Sequence, residues 1–185
     1  QSLKKKGFPV GPISLLDEVG LDIAAHVTES SKKNVAGKEG FEVCEAVIKM
    51  NASGRKGRKN KKGFFSYDSN GKKKGVDATA YDFFKGKGNQ SLPISDIQDR
   101  AVFLMLNEAV LCLEEGIIAN PTDGDLGAVF GIGFLPFTGG PFRALDTWGI
   151  PDVVARMEVF KSTYGERFAP AKTLVKMAKE ESTFY

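Results

Sequence analysis

Apolar residues recur along most of the chain at helical spacing, three or four positions apart. This pattern predicts four helices, over about residues 21–33, 41–51, 150–163 and 170–180. A longer helix is predicted from the sequence SDIQ at residues 95–98, which fits a capping box, to a stop at Gly116. A further helix is expected to begin with Thr122 as its cap and to end near Gly131.

The sequence repeats itself at an offset of 129 residues. Residues 8–20 read FPVGPISLLDEVG and residues 137–149 read FTGGPFRALDTWG, with six identical positions. In each copy a Pro suits the first position of a short helix and a Gly suits the residue that closes it. Because a pair of predicted helices follows in both copies, the sequence predicts an all-α fold made of two tandem duplicated helical domains.

The repeat suggests a domain division. The first helical domain is assigned to residues 1–84, a linker to 85–94 and the second domain to 95–185, with a further aperiodic loop at 51–75. The counterpart of the long helix would lie ahead of Gln1, so the first copy is expected to lack its lead helix. The chain is therefore expected to be part of a longer protein. Apolar residues of the first copy are expected to be uncovered, among them Leu15, Leu16 and Val19.

Composition narrows the class of protein. Hydrophobic residues make up 42% and charged residues 26% of the chain, which excludes a disordered or collagen-like polypeptide. The net charge of +3 is too small to indicate nucleic-acid binding without a focused basic surface. No apolar run reaches the ~18 residues that a membrane-spanning helix needs. A globular protein is expected.

Two features could carry chemistry, and neither has the context that it needs. His26 is the only histidine and has no nearby acid to orient it, which favours a packed or surface residue over a general base. The sequence GIGFLP at residues 131–136 resembles a dinucleotide-binding GxGxxG, but it ends a helical segment and has Pro for the third Gly. We predict no catalytic residue, no bound cofactor and no metal site in this chain.

Two aspartates occupy equivalent positions in the repeat, each framed by Gly and Pro. One active site has no use for the same acid twice, so we predict that these carboxylates accept backbone N–H groups at a helix–helix elbow. Backbone conformation or close helix approach is expected to require glycine at Gly11 and Gly140. The predicted structural elbow comprises Asp17, Gly20, Gly140, Pro141, Asp146 and Gly149.

A basic stretch, RKGRKNKK at residues 55–62, is followed by Phe64, Phe65 and Tyr67. Its cations could neutralise phosphates while the rings stack on bases. The alternative, which a charge run in a loop favours, is a solvated loop whose rings pack into the core. The candidate anion-binding residues are Arg55, Arg58, Lys59 and Lys62.

Several long motifs in this order resemble one family. GFPVGPISLLDEVGLDIAAHV, GRKNKKGFF, NEAVLCLEEGIIANPTDGDLGAVFGIGF and GGPFRALDTWG are similar to segments from the C-terminal region of the 3-hydroxyacyl-CoA dehydrogenase part of the fatty-acid oxidation multifunctional enzymes. The likeness is strongest to the alpha subunits of the mitochondrial trifunctional type, and it runs from Gly7 to Tyr185. Lys61 departs from the family pattern, which usually has Gly there, and this leaves the conformation of that turn open.

The resemblance implies an NAD-dependent (S)-3-hydroxyacyl-CoA dehydrogenase of fatty-acid β-oxidation, within a larger protein that also has an enoyl-CoA hydratase domain. In this family a Rossmann domain binds NAD. The catalytic His-Glu pair and a substrate-positioning Asn lie ahead of the matching region, so no catalytic residue is carried over. The segment that matches family residues near the dehydrogenase cleft is the candidate for acyl-chain contact, and it contains Phe8, Pro9, Gly11 and Pro12.

The implied partners are the Rossmann and hydratase domains of the same protein, a fatty acyl-CoA and a thiolase beta subunit, whereas nucleic acid is disfavoured. The implied location is the mitochondrial matrix or inner membrane, with the peroxisome and the bacterial cytoplasm as alternatives. A competing function is a helical interaction module that binds nucleic acid or anionic lipid through the basic loop. Such phosphate binding would weaken steeply with salt.

Overall fold

A computed structural model describes residues 1–34, 45–84 and 92–185. Helices dominate this part of the chain, which confirms the predicted all-α class. The helices are Ser2–Lys6 (α1), Pro12–Val19 (α2), Leu21–Asn34 (α3), Glu45–Ala52 (α4), Ile94–Glu114 (α5), Pro121–Ile132 (α6), Pro141–Trp148 (α7), Ile150–Tyr164 (α8) and Lys172–Glu180 (α9).

The described residues form two compact units. We call Val10–Ser91 the small unit, and Gln1–Pro9 together with Leu92–Tyr185 the large unit. The division differs from the predicted first domain of residues 1–84, because Leu3 and Phe8 pack on the core of the large unit. Of the predicted linker 85–94, residues 85–91 lie outside the described part, and Ile94 already belongs to α5.

The small unit packs α2, α3 and α4 around a compact core in which Leu21 and Met50 are fully buried. Pro12 stands at the first position of α2, and Gly20 ends this helix with φ +109°. Because glycine adopts this conformation readily, α3 can begin at the next residue in a new direction. The predicted helix over 41–51 is found as α4, while its residues 41–44 lie outside the described part.

The segment predicted as a loop, residues 51–75, contains most of an antiparallel hairpin. Its strands are Phe65–Tyr67 (β1) and Lys73–Val76 (β2), with Phe65 opposite Val76. The loop prediction is wrong here because strands of three and four residues are too short to show an alternating pattern. The turn itself contains Asn70-Gly71, which is typical of hairpins. Asp68 holds it by accepting the N–H groups of Asn70 and Lys72 at 2.9 Å each.

The large unit is built around α5, which contacts α1, α6, α7, α8 and α9. One stripe of α5 is completely buried, with Val102, Leu106 and Val110 at helical spacing. Phenylalanine rings from the surrounding elements fill the space against this stripe: Phe134, Phe142, Phe160 and Phe168. Within the described ranges, no helix has both the length and the apolar character required to cross a bilayer.

The predicted capping box at the start of α5 is not formed. The helix begins at Ile94, its N-cap is Pro93, and no side chain caps it. The Gln98 amide donates instead to the carbonyl of Ser2 at 2.8 Å. The prediction is wrong because a tertiary contact with α1 takes the side chain that a capping box would need.

The predicted cap of α6 is also displaced. Asn120, not Thr122, is the N-cap, and its side chain accepts the N–H of Asp123 at 2.9 Å. Pro121 occupies the first helical position, where its missing N–H costs nothing and its fixed φ favours the helix. Thr122 therefore falls inside the first turn. The helix ends at Ile132, followed by Gly133 in the left-handed conformation, close to the predicted end.

Candidate functional site

A buried carboxylate organises the small unit. Asp17, on α2, is completely buried. Its Oδ1 accepts the N–H of Phe64 at 2.8 Å, and its Oδ2 accepts the N–H of Phe65 at 3.0 Å and the hydroxyl of Tyr67 at 2.9 Å. Burial, and then this hydrogen bond, raise the pKa of Tyr67. A carboxylate enclosed by three donors stabilises the fold and is not placed to exchange protons with a substrate.

The equivalent carboxylate of the second repeat makes equivalent contacts. Asp146, on α7, accepts the N–H of Phe184 at 2.9 Å and that of Tyr185 at 3.1 Å. In both repeats the donors are therefore two consecutive aromatic residues that come much later in the chain. The elbow between the helices, which the sequence analysis expected to donate, is not the source. Each carboxylate thus binds a segment that lies much later in the sequence to the short helix that carries the carboxylate.

The glycines of the predicted elbow differ in what they do. Gly20 and Gly149 follow α2 and α7 with φ of +109° and +87°, where other residues are strained. Gly140 has φ +122°, and a Cβ at this position would overlap the side chain of Asp125. Gly11 has φ −72°, which any residue adopts, so backbone conformation does not require glycine there. That part of the expectation for Gly11 is wrong.

A second buried carboxylate, which was not predicted from the sequence, lies in the large unit. Asp125 accepts the N–H of Phe142 at 2.7 Å and the hydroxyl of Tyr185 at 2.8 Å. Pro141 begins α7 without an N–H, so Phe142 supplies the first available donor of this helix. The sequence hardly distinguishes Asp125 from Asp123, which lies two residues earlier on the same helix and is exposed. It therefore gives little indication that Asp125 is buried.

Asn107 is another missed residue, although the sequence did contain a signal. It is the polar member of a buried set on α5, beside Phe103, Leu106 and Val110. Its amide donates to the carbonyl of Ala169 at 3.0 Å and accepts the N–H of Ala171 at 2.8 Å. These two bonds attach the segment before α9 to α5. A polar residue within an apolar stripe typically marks such a contact.

Arg55, the first candidate of the basic stretch, is a buried structural residue. It donates to the carbonyl of Gly63 at 2.7 Å, to the carboxylate of Asp77 at 2.9 Å and to the hydroxyl of Thr79. The Thr79 hydroxyl, followed by the Arg55 guanidinium, lowers the pKa of Asp77. Because its donors are directed inward, this guanidinium is not positioned to bind an external anion.

The other cations of the stretch lie at the surface. Arg58 pairs with Glu18 at 3.0 Å, and Lys59 pairs with Asp22 at 2.6 Å and lowers its pKa. Lys62 is exposed. The rings of Phe64 and Tyr67, which could have stacked on bases, are buried in the small unit. The arrangement therefore favours the solvated-loop alternative over a nucleic-acid interface.

The candidate acyl-contact segment is divided between the units. The Phe8 ring meets that of Phe134 edge-on, with centroids 6.3 Å apart, so it is occupied by the core of the large unit. Pro9 is exposed. Gly11 is the buried N-cap of α2, and Pro12 is exposed at its first position.

The remaining candidates do not form a reactive centre. His26 lies exposed on α3. The GIGFLP segment, residues 131–136, ends α6, so its amides are not those of a helix N-terminus that could hold a pyrophosphate. Within the ranges that the structure describes, no three His, Cys, Asp or Glu side chains are grouped to hold a metal ion.

A groove of about 430 Å³ lies between α5 and α6 in the large unit. Its walls are apolar, and the two charged residues that line it, Glu108 and Asp123, are both acidic. Periodicity predicted both helices but not a gap between them. Among its apolar lining residues are Leu104, Met105, Ala109, Ile118, Ala128 and Phe134.

Comparison with curated proteins relates the chain to subunits of fatty acid oxidation complexes. It is 50% identical over 186 residues to the fatty acid oxidation complex subunit alpha of Shewanella amazonensis, and 47% identical over 185 residues to that of Shewanella oneidensis. Both alignments cover 100% of this chain and 26% of the relative. The chain thus spans about a quarter of the length of these relatives.

Two solved structures share the fold. The 3-hydroxybutyryl-CoA dehydrogenase of Escherichia coli K12 has a TM-score of 0.69 at 19% identity, over 95% of this chain and 52% of that chain. The dehydrogenase part of multifunctional enzyme 1 from C. elegans has a TM-score of 0.62 at 21% identity, over 95% of this chain and 40% of that one. Residues 1–67 and 97–183 match the family model described as 3-hydroxyacyl-CoA dehydrogenase, C-terminal domain. These two segments follow the two repeats, and the chain belongs to the family of 3-hydroxyacyl-CoA dehydrogenase C-terminal domains.

Proposed function

We propose that this chain is the C-terminal substrate-side and assembly part of an NAD-dependent (S)-3-hydroxyacyl-CoA dehydrogenase that acts in fatty-acid β-oxidation. The observation that carries the proposal is the family match over both repeats. The identity with fatty acid oxidation complex alpha subunits supports it. The longer protein would also contain an enoyl-CoA hydratase domain.

The part that this chain plays is structural and positional. NAD would be bound by a Rossmann domain outside it, since the glycines of residues 131–136 end a helix and do not fit a pyrophosphate. The buried hydrogen bonds of Asp17, Asp125 and Asn107 keep each unit rigid. Any acyl-chain contact by the Phe8–Pro12 segment would act through shape and apolar burial, with its exposed residues Pro9 and Pro12 available.

Partners and location follow from the same proposal. The Rossmann and hydratase domains would lie in the same polypeptide, and a thiolase beta subunit would be a separate partner. The relatives named above are bacterial, which supports the bacterial cytoplasm as the location. Membership of the mitochondrial trifunctional type, with a matrix or inner-membrane location, is a narrower form of the proposal that these relatives do not support.

The test uses the longer polypeptide that would contain this chain, with NADH formation from a 3-hydroxyacyl-CoA as the measurement. We expect turnover by the longer polypeptide and loss of turnover when residues 1–185 are deleted. The 185-residue chain alone should neither turn over nor bind NAD, because it lacks an acid–base pair and a nucleotide fingerprint. Turnover by the isolated chain, or full activity of the deleted protein, would contradict the proposal.

The competing interaction module has its own readout. If the basic stretch bound nucleic acid or anionic lipid, binding of the chain to an oligonucleotide or an anionic vesicle would fall steeply with salt and would require Lys62. We expect no such binding, because Arg55, Arg58 and Lys59 are already paired within the small unit.

A further inference from the structure

The charged residues that line the groove between α5 and α6 are both acidic. Residues 101–142, which include most of α5 and all of α6, contain five acidic residues and no Lys, Arg or His. The groove itself is lined by apolar side chains with Glu108 and Asp123. Both of these acidic residues are exposed. The lining thus combines an apolar floor with the two negative charges of Glu108 and Asp123.

This combination restricts what can occupy the groove. A fatty acyl carboxylate, the phosphates of CoA and an anionic membrane would all bring negative charge towards Glu108 and Asp123. An occupant with an apolar face and positive flanks would gain from both features of the surface. The volume of about 430 Å³ lies in the range of roughly 300–1,000 Å³ that is usual for ligand sites, so it can accept several apolar side chains.

The geometry points to a helix as the occupant. A groove between two neighbouring helices accepts an amphipathic helix that lays its apolar residues along the floor. Gly127 and Ala128 have no side chain or a very small one, so the α6 wall of the groove is shallow at these positions. A Cβ at Gly127 would meet no atom within 4 Å. Ile132, whose side chain lines the groove, is 69% exposed. An apolar residue this exposed in the wall of a groove is available for contact with a partner.

The chain itself does not offer a suitable helix among its described residues. Two described helices, α1 and α9, carry three lysines each, whereas α3 offsets its two lysines with Asp22 and Glu29. Leu3 of α1 packs on the core of the large unit, and Leu174 and Met177 of α9 are part of that core. A second copy would have to unfold these helices to present their apolar faces. We propose that the α5–α6 groove binds a lysine- or arginine-flanked amphipathic helix of a partner protein.

The test uses the longer polypeptide that contains residues 1–185, and two synthetic peptides of about 18 residues, long enough to form a helix when bound. Both carry the same leucines at helical spacing, with lysines on the flanks of one and glutamates on the flanks of the other. Fluorescence anisotropy of labelled peptide measures binding. We expect the lysine peptide to bind at least about tenfold more tightly than the glutamate peptide, with the difference shrinking at high salt.

Two variants place the binding in the groove. Gly127→Leu fills the groove and should weaken the lysine peptide about tenfold, whereas Gly131→Leu should not, because Gly131 is on the same helix but does not line the groove. Glu108→Lys should weaken binding several-fold, whereas Glu158→Lys, an exposed change on α8, should leave it unchanged. Thermal melts of each variant establish that it is folded.

Several outcomes would overturn the proposal. Equal affinity for the two peptides would mean that charge does not select the occupant. Unchanged binding to both Gly127→Leu and Glu108→Lys would place the peptide elsewhere. Sedimentation showing a dimer that Gly127→Leu abolishes would identify a second copy as the occupant. Tighter binding of a free fatty acid, with displacement of the lysine peptide, would identify an acyl ligand instead. None of these outcomes bears on dehydrogenase turnover by the longer polypeptide, so this inference and the proposed function fail separately.

Discussion

Asp17 is a single residue on which one end of the β1–β2 hairpin depends. With its carboxylate removed, two backbone N–H groups and the Tyr67 hydroxyl lose their acceptor in a buried site. We expect Asp17→Leu to lower the free energy of unfolding by about 3 kcal/mol, and Tyr67→Phe by about 1 kcal/mol. Urea denaturation measures both. If Asp17→Leu unfolds at the same urea concentration as the parent chain, the carboxylate does not hold the hairpin.

Lys61 occupies a conformation that suits glycine. Its φ is +65°, in the left-handed region, where a side chain costs roughly 1–2 kcal/mol. Glycine relieves this strain but adds freedom to the unfolded chain, so Lys61→Gly should raise the free energy of unfolding by about 0.5 kcal/mol. Lys62→Gly is the matched control, because Lys62 has no such strain, and it should lower stability. A loss of stability in both variants would show that Lys61 is not strained.

At the scale of secondary-structure elements, two glycines of the large unit are expected to respond in opposite directions to substitution by alanine. A Cβ at Gly140 would overlap the Asp125 side chain, and the φ of +122° is strained for other residues. A Cβ at Gly127, within α6, would meet nothing. Gly140→Ala should therefore destabilise the chain by about 3 kcal/mol, and Gly127→Ala should stabilise it by about 0.5–1 kcal/mol. Thermal melts that move in the same direction for both variants would contradict this.

The boundaries of several elements were predictable because strong local signals mark them. Pro12 and Gly20 delimit α2, and their repeat counterparts delimit α7, so the sequence alone places these helices. The start of α5 depends on a tertiary contact with α1 and the hairpin consists of very short strands, whereas the start of α6 is marked by the local signal Asn120-Pro121. The partners of Asp17 lie 47 to 50 residues away, and local periodicity carries no information on such pairing.

At the scale of the whole molecule, the two repeats bury their equivalent residues differently. Ile13 and Leu15 of α2 are 45% and 50% exposed, whereas Phe142 and Ala144, their counterparts at the repeat offset, are completely buried. In the large unit α5 contacts α7, and the described part of the small unit contains no counterpart of α5. Leu15 and Val19 are exposed as expected, while Leu16 packs against the core of the small unit.

These exposed apolar residues of α2 predict how the 185-residue chain behaves in solution. Exposed apolar surface drives association and binds hydrophobic dyes. The double variant Ile13→Glu/Leu15→Glu should therefore bind less dye and scatter less light than the parent, with little change in melting temperature. A version extended upstream by about 33 residues, which the repeat offset implies would include the missing lead helix, should show the same reduction. Unchanged dye binding in both proteins would mean that these residues are already covered.

The division of the large unit between the two ends of the chain sets the order in which a newly synthesised polypeptide can complete its parts. Asp17 can find its donors as soon as Tyr67 has left the ribosome. Phe8, made earlier, must wait for Phe134, and Asp146 must wait for Tyr185. The small unit can therefore close first, while residues 1–9 stay without their core until the far end of the chain emerges. Nascent chains stalled between these points are where chaperone binding and aggregation should concentrate.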